Sequence, residues 1–147
     1  MRLQEVSPGS ITSLPQAGAR SPRILIVDDN RDIALTMSSI LEYEGYEVRC
    51  AHDGTQALAI CDSFAPHVVL LDIGLPDLDG YVVAQTIRQR CARHSMRIFA
   101  VTGYGSPEDR EQALASGFDR HIVKPVPAEQ LITMLAETCR VGQPRAV

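Results

Sequence analysis

The sequence predicts an α/β fold in which helices cover both faces of a five-stranded parallel sheet, the doubly wound architecture. Four short runs are wholly apolar, as is typical of strands buried on both faces; they are residues 24–27, 68–71, 98–101 and 122–123. Segments with apolar residues at helical spacing alternate with these runs from Arg23 onward. That alternation is the pattern of repeated βαβ units, so a (βα)5 array is expected.

The remaining strand, residues 47–51, alternates polar and apolar side chains and is therefore predicted at an edge of the sheet. The third helix is expected to begin near Asp79, the fourth at Ser106 and Pro107, and the fifth near Pro127. The predicted apolar helix faces comprise Ile33, Met37, Ile40 and Leu41 in the first helix, Ala57, Leu58, Cys61 and Ala65 in the second, Val83, Ile87 and Cys91 in the third, and Leu131, Met134, Leu135 and Thr138 in the fifth.

Length and composition predict one domain between two short tails. The chain has 147 residues and is 45% hydrophobic, which is enough for a single full core. Residues 1–22 are rich in Ser, Pro and Gly and are expected to form a flexible tail. The domain is expected to span residues 23–140, with 141–147 as a short C-terminal tail. No attached DNA-binding or catalytic output domain is therefore expected.

The net charge and the cysteines indicate which binding partners and which cellular compartment to expect. Fourteen Lys and Arg against eighteen Asp and Glu give a net charge of −4, which argues against nucleic-acid binding. Arg88, Arg90, Arg93 and Arg97 cluster loosely, and a solvated helix face is the expected explanation. Four isolated cysteines indicate a reducing compartment. With no apolar run of roughly 18 residues and no signal-peptide centre, we expect a cytoplasmic protein without a membrane partner.

Polar side chains follow four of the predicted strands, where each strand ends. Asp28 and Asp29 follow the first apolar run, Asp72 the second, Thr102 the third and Lys124 the last. Open parallel sheets bind ligands at the carboxyl ends of their strands, so these side chains are expected to converge. Crowded carboxylates repel one another unless a cation lies among them, and Mg²⁺ prefers such oxygen ligands. Two adjacent acids could instead cap the first helix, but both cannot do so efficiently.

The same cluster suits phosphoryl transfer. Lys124 offers a point charge and Thr102 a hydroxyl donor, and both groups bind phosphoryl oxygens. Carboxylates for a metal, a carboxylate to attack, and groups that hold the transferred phosphoryl make up such a site. Gly103, Tyr104 and Gly105 lie between a strand and a helix, but the third glycine of a dinucleotide motif and the Walker pattern are both missing. Nucleotide binding is therefore not expected.

These residues resemble the receiver domain of two-component response regulators over roughly residues 23–140. The resemblance rests on Asp28-Asp29, on the segment from Asp72 to Gly80 with Pro76 within it, on Thr102-Gly103 and on Lys124-Pro125, all in the expected order. It implies a flavodoxin-like fold with strand order 2-1-3-4-5. It also implies a signalling protein that is not an enzyme in the usual sense and catalyses only its own phosphorylation and dephosphorylation.

The resemblance assigns a role to each site residue. Asp72 would be the phosphoacceptor, taking the phosphoryl group from a phosphohistidine. Mg²⁺ or Mn²⁺ would be held by Asp29, Asp72 and the backbone carbonyl of Gly74, with Asp28 acting partly through water. The other implied roles are phosphoryl binding and switching for Thr102, Gly103 and Lys124, a cis peptide bond before Pro125, and tuning of dephosphorylation by Gly74 and Tyr104.

One position departs from the family pattern. His121, three residues before the lysine, stands where the family usually has the Tyr or Phe that turns inward as the threonine moves. Imidazole is smaller, polar and titratable, so the usual aromatic switch is in doubt. Tyr104 could take over part of that role, and signalling would then depend on the loop from Thr102 to Ser106.

The implied partners are a sensor histidine kinase or a histidine phosphotransfer protein, and a downstream target bound through the face of helix four, strand five and helix five. A phosphorelay shuttle, passing the group onward to a phosphotransfer protein, is an alternative on the same chemistry. A second is a phosphorylation-independent pseudo-receiver, although such proteins usually lose one of the site residues. A phosphatase of the haloacid dehalogenase type is disfavoured, since Gly74 stands where that family needs an acid. The cognate kinase, the target, the oligomeric state and any parent hybrid kinase are left open.

Overall fold

The computed structural model describes residues 21–90, 96–103 and 107–142, the last three by their backbone alone. Several predicted features lie outside these ranges: most of the N-terminal tail, residues 143–147, the Ser106 cap, Cys91, Arg93 and Tyr104. The described elements are β1 (Arg23–Val27), α1 (Arg31–Tyr43), β2 (Glu47–Ala51), α2 (Gly54–Phe64), β3 (Val68–Asp72), α3 (Gly80–Arg90), β4 (Arg97–Thr102), α4 (Pro107–Ala115), β5 (Arg120–Val123) and α5 (Ala128–Gly142).

The strands form one five-stranded sheet in the order β2-β1-β3-β4-β5, and every pair is parallel. This confirms the predicted flavodoxin-like architecture and the expectation that β2 lies at an edge. The predicted strand positions are also close to the observed ones. The apolar runs from which β1, β3 and β4 were predicted are almost fully buried.

Strand β5 does not have the two-sided burial that its apolar run predicts. Val123 is 46% exposed, whereas the neighbouring Ile122 is buried. The reason is topological: β5 pairs only with β4 and forms the second edge of the sheet. A run of two apolar residues was too short to distinguish a central strand from an edge strand.

The core has two parts, one on each face of the sheet, because successive side chains of a strand point to opposite faces. On β1, Leu25 and Val27 lie in one cluster, and Ile24 and Ile26 lie in the other. The first cluster takes Ala57 and Cys61 from α2, Val83 and Ile87 from α3, and Ala113 from α4. The second takes Ala34, Met37 and Leu41 from α1, and Leu131 and Leu135 from α5. Thr138, predicted to be buried on α5, is only half-buried.

Local capping sets the helix starts that border the sheet's carboxyl edge. The side chain of Asn30 accepts hydrogen bonds from the amides of Asp32 and Ile33 and so begins α1. Asp53 accepts from the amide of Gln56 and begins α2. Asp79, expected at the start of the third helix, accepts from the amide of Tyr81 at 2.8 Å. These caps place the N-termini of three helices beside the strand ends.

Arg88 does not belong to the solvated face that the sequence predicted. Its guanidinium donates hydrogen bonds to the carbonyl oxygens of Gly117 and Met96 and forms an ion pair with Asp119. Gly117 and Asp119 are remote from Arg88 in sequence, which is why a local charge pattern could not reveal these contacts. Arg90, by contrast, pairs with Asp62 at 3.1 Å where both side chains are about half exposed.

Within the described ranges, the structure contains no helix with the length and apolar character needed to cross a lipid bilayer.

Candidate functional site

Three carboxylates meet at the carboxyl edge of the sheet. Asp28 and Asp29 follow β1, Asp72 is the last residue of β3, and one oxygen of each lies within 4.8 Å of the others. Asp28 and Asp72 are buried, with 3% and 9% of their surface exposed, whereas Asp29 is exposed. The three acids thus converge at the strand ends, as expected for a parallel sheet. Their cluster is open to solvent on the Asp29 side.

Backbone hydrogen bonds beyond the strand ends hold this edge in place. The amide of Asp28 donates to the carbonyl of Ala51 at 3.0 Å, and the amide of Lys124 donates to that of Thr102 at 2.8 Å. Each bond continues the pairing of the two adjoining strands. The positions of the first acid and of the lysine are thus fixed by the rigid sheet.

Lys124 connects the two buried acids. Its Nζ lies 2.9 Å from Oδ2 of Asp28 and 3.1 Å from Oδ2 of Asp72. Burial alone would lower the pKa of Lys124, but the hydrogen bonds and negative charges of Asp28 and Asp72 outweigh it and raise the pKa. The ammonium therefore stays charged at neutral pH beside the two buried carboxylates.

The other oxygens of the two buried acids accept backbone amides. Oδ1 of Asp28 accepts from Asn30, and Oδ1 of Asp72 accepts from Gly74, each at 2.9 Å. Both acids are therefore held at two points. A methyl group added to Gly74 would meet Oδ1 of Asp72 at 3.7 Å, an ordinary contact, so the glycine leaves open space beside the candidate phosphoacceptor.

Thr102 and Gly103 lie where β4 ends. Thr102 is buried, with 6% of its surface exposed, and a Cβ on Gly103 would meet no atom of the described residues within 4 Å, its chain neighbours aside. The next three residues, including the predicted Tyr104, lie outside the described part of the chain. The peptide bond between Lys124 and Pro125 is cis, as the resemblance implies.

His121 lies on β5 opposite Ala100 of β4. Its side chain is half-buried, and within the described part of the chain its Nε2 is buried without a hydrogen-bond partner. A Phe or Tyr ring at this position would have a carbon atom where His121 has Nε2. The buried nitrogen therefore distinguishes this chain from the usual family pattern.

Two residues near the site have contacts that the sequence did not indicate. His52 places Nδ1 3.1 Å from the carbonyl oxygen of Asp28. Asp77, in the loop after β3, accepts hydrogen bonds from the amides of Gly54 and Thr55 at the start of α2. Neither contact has a sequence signature, because each joins segments more than twenty residues apart.

The donor set fits a hard divalent cation. Three carboxylates in one cluster provide oxygen ligands without sulfur or imidazole, the set that suits Mg²⁺ or Mn²⁺. The three acids also need a cation for electrostatic reasons, since Lys124 contacts only two of them.

A doubly wound sheet with an acid cluster and a lysine at its carboxyl edge fits the class of two-component signalling domains. The family model of the response regulator receiver domain matches residues 24–136, and the chain belongs to this family. The transcriptional regulatory protein TrcR of Mycobacterium tuberculosis is 35% identical over 127 residues, which cover 86% of this chain and 49% of TrcR. The chain thus spans about half the length of that relative.

Two further comparisons match nearly the whole of the similar protein. An uncharacterised 14.6 kDa protein of Leptolyngbya boryana is 32% identical over 84% of this chain and 94% of its own length. The crystal structure of a CheY-like receiver domain protein from Methanospirillum hungatei has a TM-score of 0.77 and 34% identity, covering 83% of this chain and 96% of that one. The chain is thus a receiver domain of two-component phosphorelay signalling.

Proposed function

We propose that this chain accepts a phosphoryl group on Asp72 in a Mg²⁺-dependent reaction and changes its partner binding as a result. The observation that carries the proposal is the position of Lys124, whose Nζ bridges Asp28 and Asp72 within the three-acid cluster. The domain that does this is taken to be residues 23–140, in keeping with the family match over 24–136.

The chemistry follows from the held carboxylate. A carboxylate oxygen of Asp72 forms a bond to phosphorus while the bond from phosphorus to the donor breaks; the donor's electron pair leaves with the donor, as a histidine imidazole or as acetate. Lys124 offsets the negative charge of the phosphoryl oxygens, and the amide of Gly74 holds Asp72 in place for attack. When bound by Asp28, Asp29, Asp72 and the Gly74 carbonyl, Mg²⁺ would supply charge neutralisation and orientation.

Thr102 and Gly103 are proposed to respond to the new group. Thr102 places a hydroxyl donor where β4 ends, and Gly103 adds no side chain beside it. The signal would pass to a target on the face of α4, β5 and α5, where Leu114 and Val123 are about half exposed. His121 lies on the central strand of that face, at the position of the usual aromatic switch.

The donor is proposed to be a sensor histidine kinase or a histidine phosphotransfer protein. An apolar groove of about 500 Å³ opens beside Lys124, between α1 and the segment after β5. Its lining includes Ile33, Met37 and Ile40 of α1. A partner helix docked there would bring its phosphohistidine to the carboxyl edge of the sheet.

The test is intact-mass measurement after incubation with acetyl phosphate and Mg²⁺. Wild type is expected to gain one phosphoryl group, and Asp72→Asn is expected to gain none because amide nitrogen does not replace the nucleophilic carboxylate. Asp62→Asn is a matched control, since Asp62 is an exposed acid on α2 that pairs with Arg90. A Mg²⁺-independent adduct, or an adduct that persists in Asp72→Asn, would refute the proposal. No adduct with acetyl phosphate or with a histidine donor would favour the pseudo-receiver.

A further inference from the structure

Asp77 joins the loop after β3 to the first turn of α2. Its Oδ1 accepts the amide of Gly54 at 2.7 Å, and its Oδ2 accepts both the amide and the hydroxyl of Thr55, at 3.1 and 2.8 Å. Oδ1 also accepts the amide of Leu78 at 2.8 Å. Although Asp77 is an exposed residue, its carboxylate is thus held by four donors from two segments of the chain.

These donors explain why the loop binds this helix. The first amides of a helix have no carbonyl partner within it, and the helix dipole favours negative charge beside them. Asp53 supplies the ordinary N-cap of α2 by accepting the amide of Gln56. Asp77 satisfies the amides that Asp53 does not reach. The hydrogen bond from Gly54 is the largest cause that lowers the pKa of Asp77, to about 2, so the contact is intact at neutral pH.

Close packing accompanies the hydrogen bonds. A Cβ on Gly54 would lie 2.9 Å from both the Cβ of Leu78 and a methyl carbon of Val83. Only a glycine at the start of α2 allows this approach without displacing its neighbours. The loop is therefore pressed against the helix at Leu78 as well as being bonded to it at Asp77.

The other end of the loop is fixed against itself. The amide of Gly80 donates to the carbonyl of Ile73 at 3.3 Å, and a Cβ on Gly80 would lie 2.6 Å from the Cα of Ile73. The short segment between Ile73 and Asp77 contains Gly74, whose amide holds Asp72 and whose carbonyl is a proposed metal ligand. Asp77 follows Gly74 by three residues and is the residue whose carboxylate bonds this segment to α2.

We propose that Asp77 is a positioning residue for the metal site: by fixing the loop to α2, it sets where the Gly74 carbonyl and the Asp72 carboxylate lie relative to the cation. The inference rests on the proposed function, since it concerns the same site. Asp77 itself touches neither the acid cluster nor the phosphoryl group. Its loss should therefore weaken metal binding without removing the chemistry.

The experiment compares the affinity for Mg²⁺ of wild type, Asp77→Ala, Asp77→Asn and Asp53→Ala, followed by backbone amide shifts in NMR. Asp53→Ala is the matched control, because it removes a carboxylate from the same helix end without releasing the loop. Residues that orient metal ligands typically contribute 10- to 100-fold in affinity, so Asp77→Ala is expected to weaken Mg²⁺ binding by roughly tenfold. Asp77→Asn keeps one acceptor oxygen and is expected to fall between Asp77→Ala and wild type.

The rate of phosphorylation by acetyl phosphate supplies a second readout. In Asp77→Ala the Mg²⁺ concentration at half-maximal rate should rise, while the rate at saturating Mg²⁺ should remain within about twofold of wild type, since the reacting groups are unchanged. A wild-type affinity in Asp77→Ala, or an equal loss in Asp53→Ala, would overturn the positioning role. A wild type that binds Mg²⁺ but is not phosphorylated would refute only the proposed function. A wild type that does not bind Mg²⁺ would refute both.

Discussion

At the scale of single residues, the chemistry of the site depends on which carboxylate oxygens already have hydrogen-bond or ion-pair partners. Asp28 and Asp72 each use one oxygen for a backbone amide and the other for Lys124. Asp29 has no part in the lysine's ion pairs and is the exposed member of the cluster. One ammonium among three carboxylates leaves two negative charges of the cluster uncompensated, and this residual charge makes the cluster receptive to a cation.

Sequence reasoning located these residues because each follows an apolar strand, and the geometry of a parallel sheet then brings them together. It could not locate Asp77 or Arg88 in the same way. Asp77 bonds to Gly54 across 23 positions, and Arg88 bonds to Gly117 across 29. Contacts of this kind depend on loop paths that no local pattern specifies.

The pH dependence of stability should reveal the Asp77 contact. The hydrogen bond from Gly54, reinforced by those of Thr55 and Leu78, lowers the pKa of Asp77 from its ordinary 3.8 to about 2. A group whose pKa is depressed by folding stabilises the protein above its unfolded pKa and loses that contribution as the pH falls. The difference in unfolding free energy between wild type and Asp77→Asn should thus be largest at neutral pH and shrink between pH 3.8 and about 2.

Urea unfolding followed by circular dichroism at pH 7, 5, 4 and 3 would measure this difference. Asp62→Asn, at an exposed acid with a different partner, controls for the general effect of acid on the chain. A difference that stays constant over this range would show that the Asp77 carboxylate contributes nothing through its charge.

At the scale of elements, the strands were predictable and the loops were not. The buried runs of β1, β3 and β4 determine both the position and the two-sided burial of those strands. The same reasoning failed for β5, where the exposure of Val123 reflects the order of strands in the sheet. The loop between β3 and α3 has turn residues that a sequence reveals, but its attachment to α2 appears only in three dimensions.

Gly80 tests how far the site depends on this loop. A Cβ there would lie 2.6 Å from the Cα of Ile73, a backbone atom that a side-chain rotation cannot move aside. Gly80→Ala should therefore displace the loop and destabilise the fold, by about 1–3 kcal/mol as for other overpacked sites. Phosphorylation by acetyl phosphate should fall as well, because Gly74 lies in the same loop.

Gly103→Ala is the matched control for Gly80→Ala. It adds the same methyl group at another glycine of the site, where no atom in the described part of the chain, apart from its chain neighbours, lies within 4 Å of the added Cβ. Melting temperature would be measured for both variants, and the initial rate of phosphorylation would be compared between Gly80→Ala and wild type. If Gly80→Ala has the same melting temperature and the same rate of phosphorylation as wild type, then the close approach to Ile73 affects neither stability nor the site.

At the scale of the whole molecule, the amino ends and the carboxyl ends of the strands have different roles. At the amino ends of β4 and β5, Asp119 accepts the amide of Ile98 at 2.8 Å and pairs with Arg88 of α3. This network ties two strands and a helix together. At the carboxyl ends the side chains are charged and only partly compensated. One end of the domain thus secures the fold, while the other carries like charges that only a bound cation would relieve.

That division predicts how Mg²⁺ should affect global stability. A ligand that binds only the folded state stabilises it by about 2.7 kcal/mol at 100 times its dissociation constant, which for a domain of this size raises the melting temperature by roughly 5–10 °C. Asp29→Asn removes a carboxylate from the crowded cluster. Without metal it should melt at or above wild type, since repulsion falls, but it should gain much less from Mg²⁺.

Scanning calorimetry with increasing MgCl₂, against NaCl of equal ionic strength, separates specific binding from screening. Asp62→Asn again provides the control, because it removes one negative charge elsewhere on the domain. It should keep the full response to Mg²⁺. An equal rise in wild type and Asp29→Asn would place the stabilising cation outside the acid cluster. A rise confined to proteins with all three acids would mean that Mg²⁺ stabilises the fold by neutralising the negative charge that Lys124 leaves uncompensated.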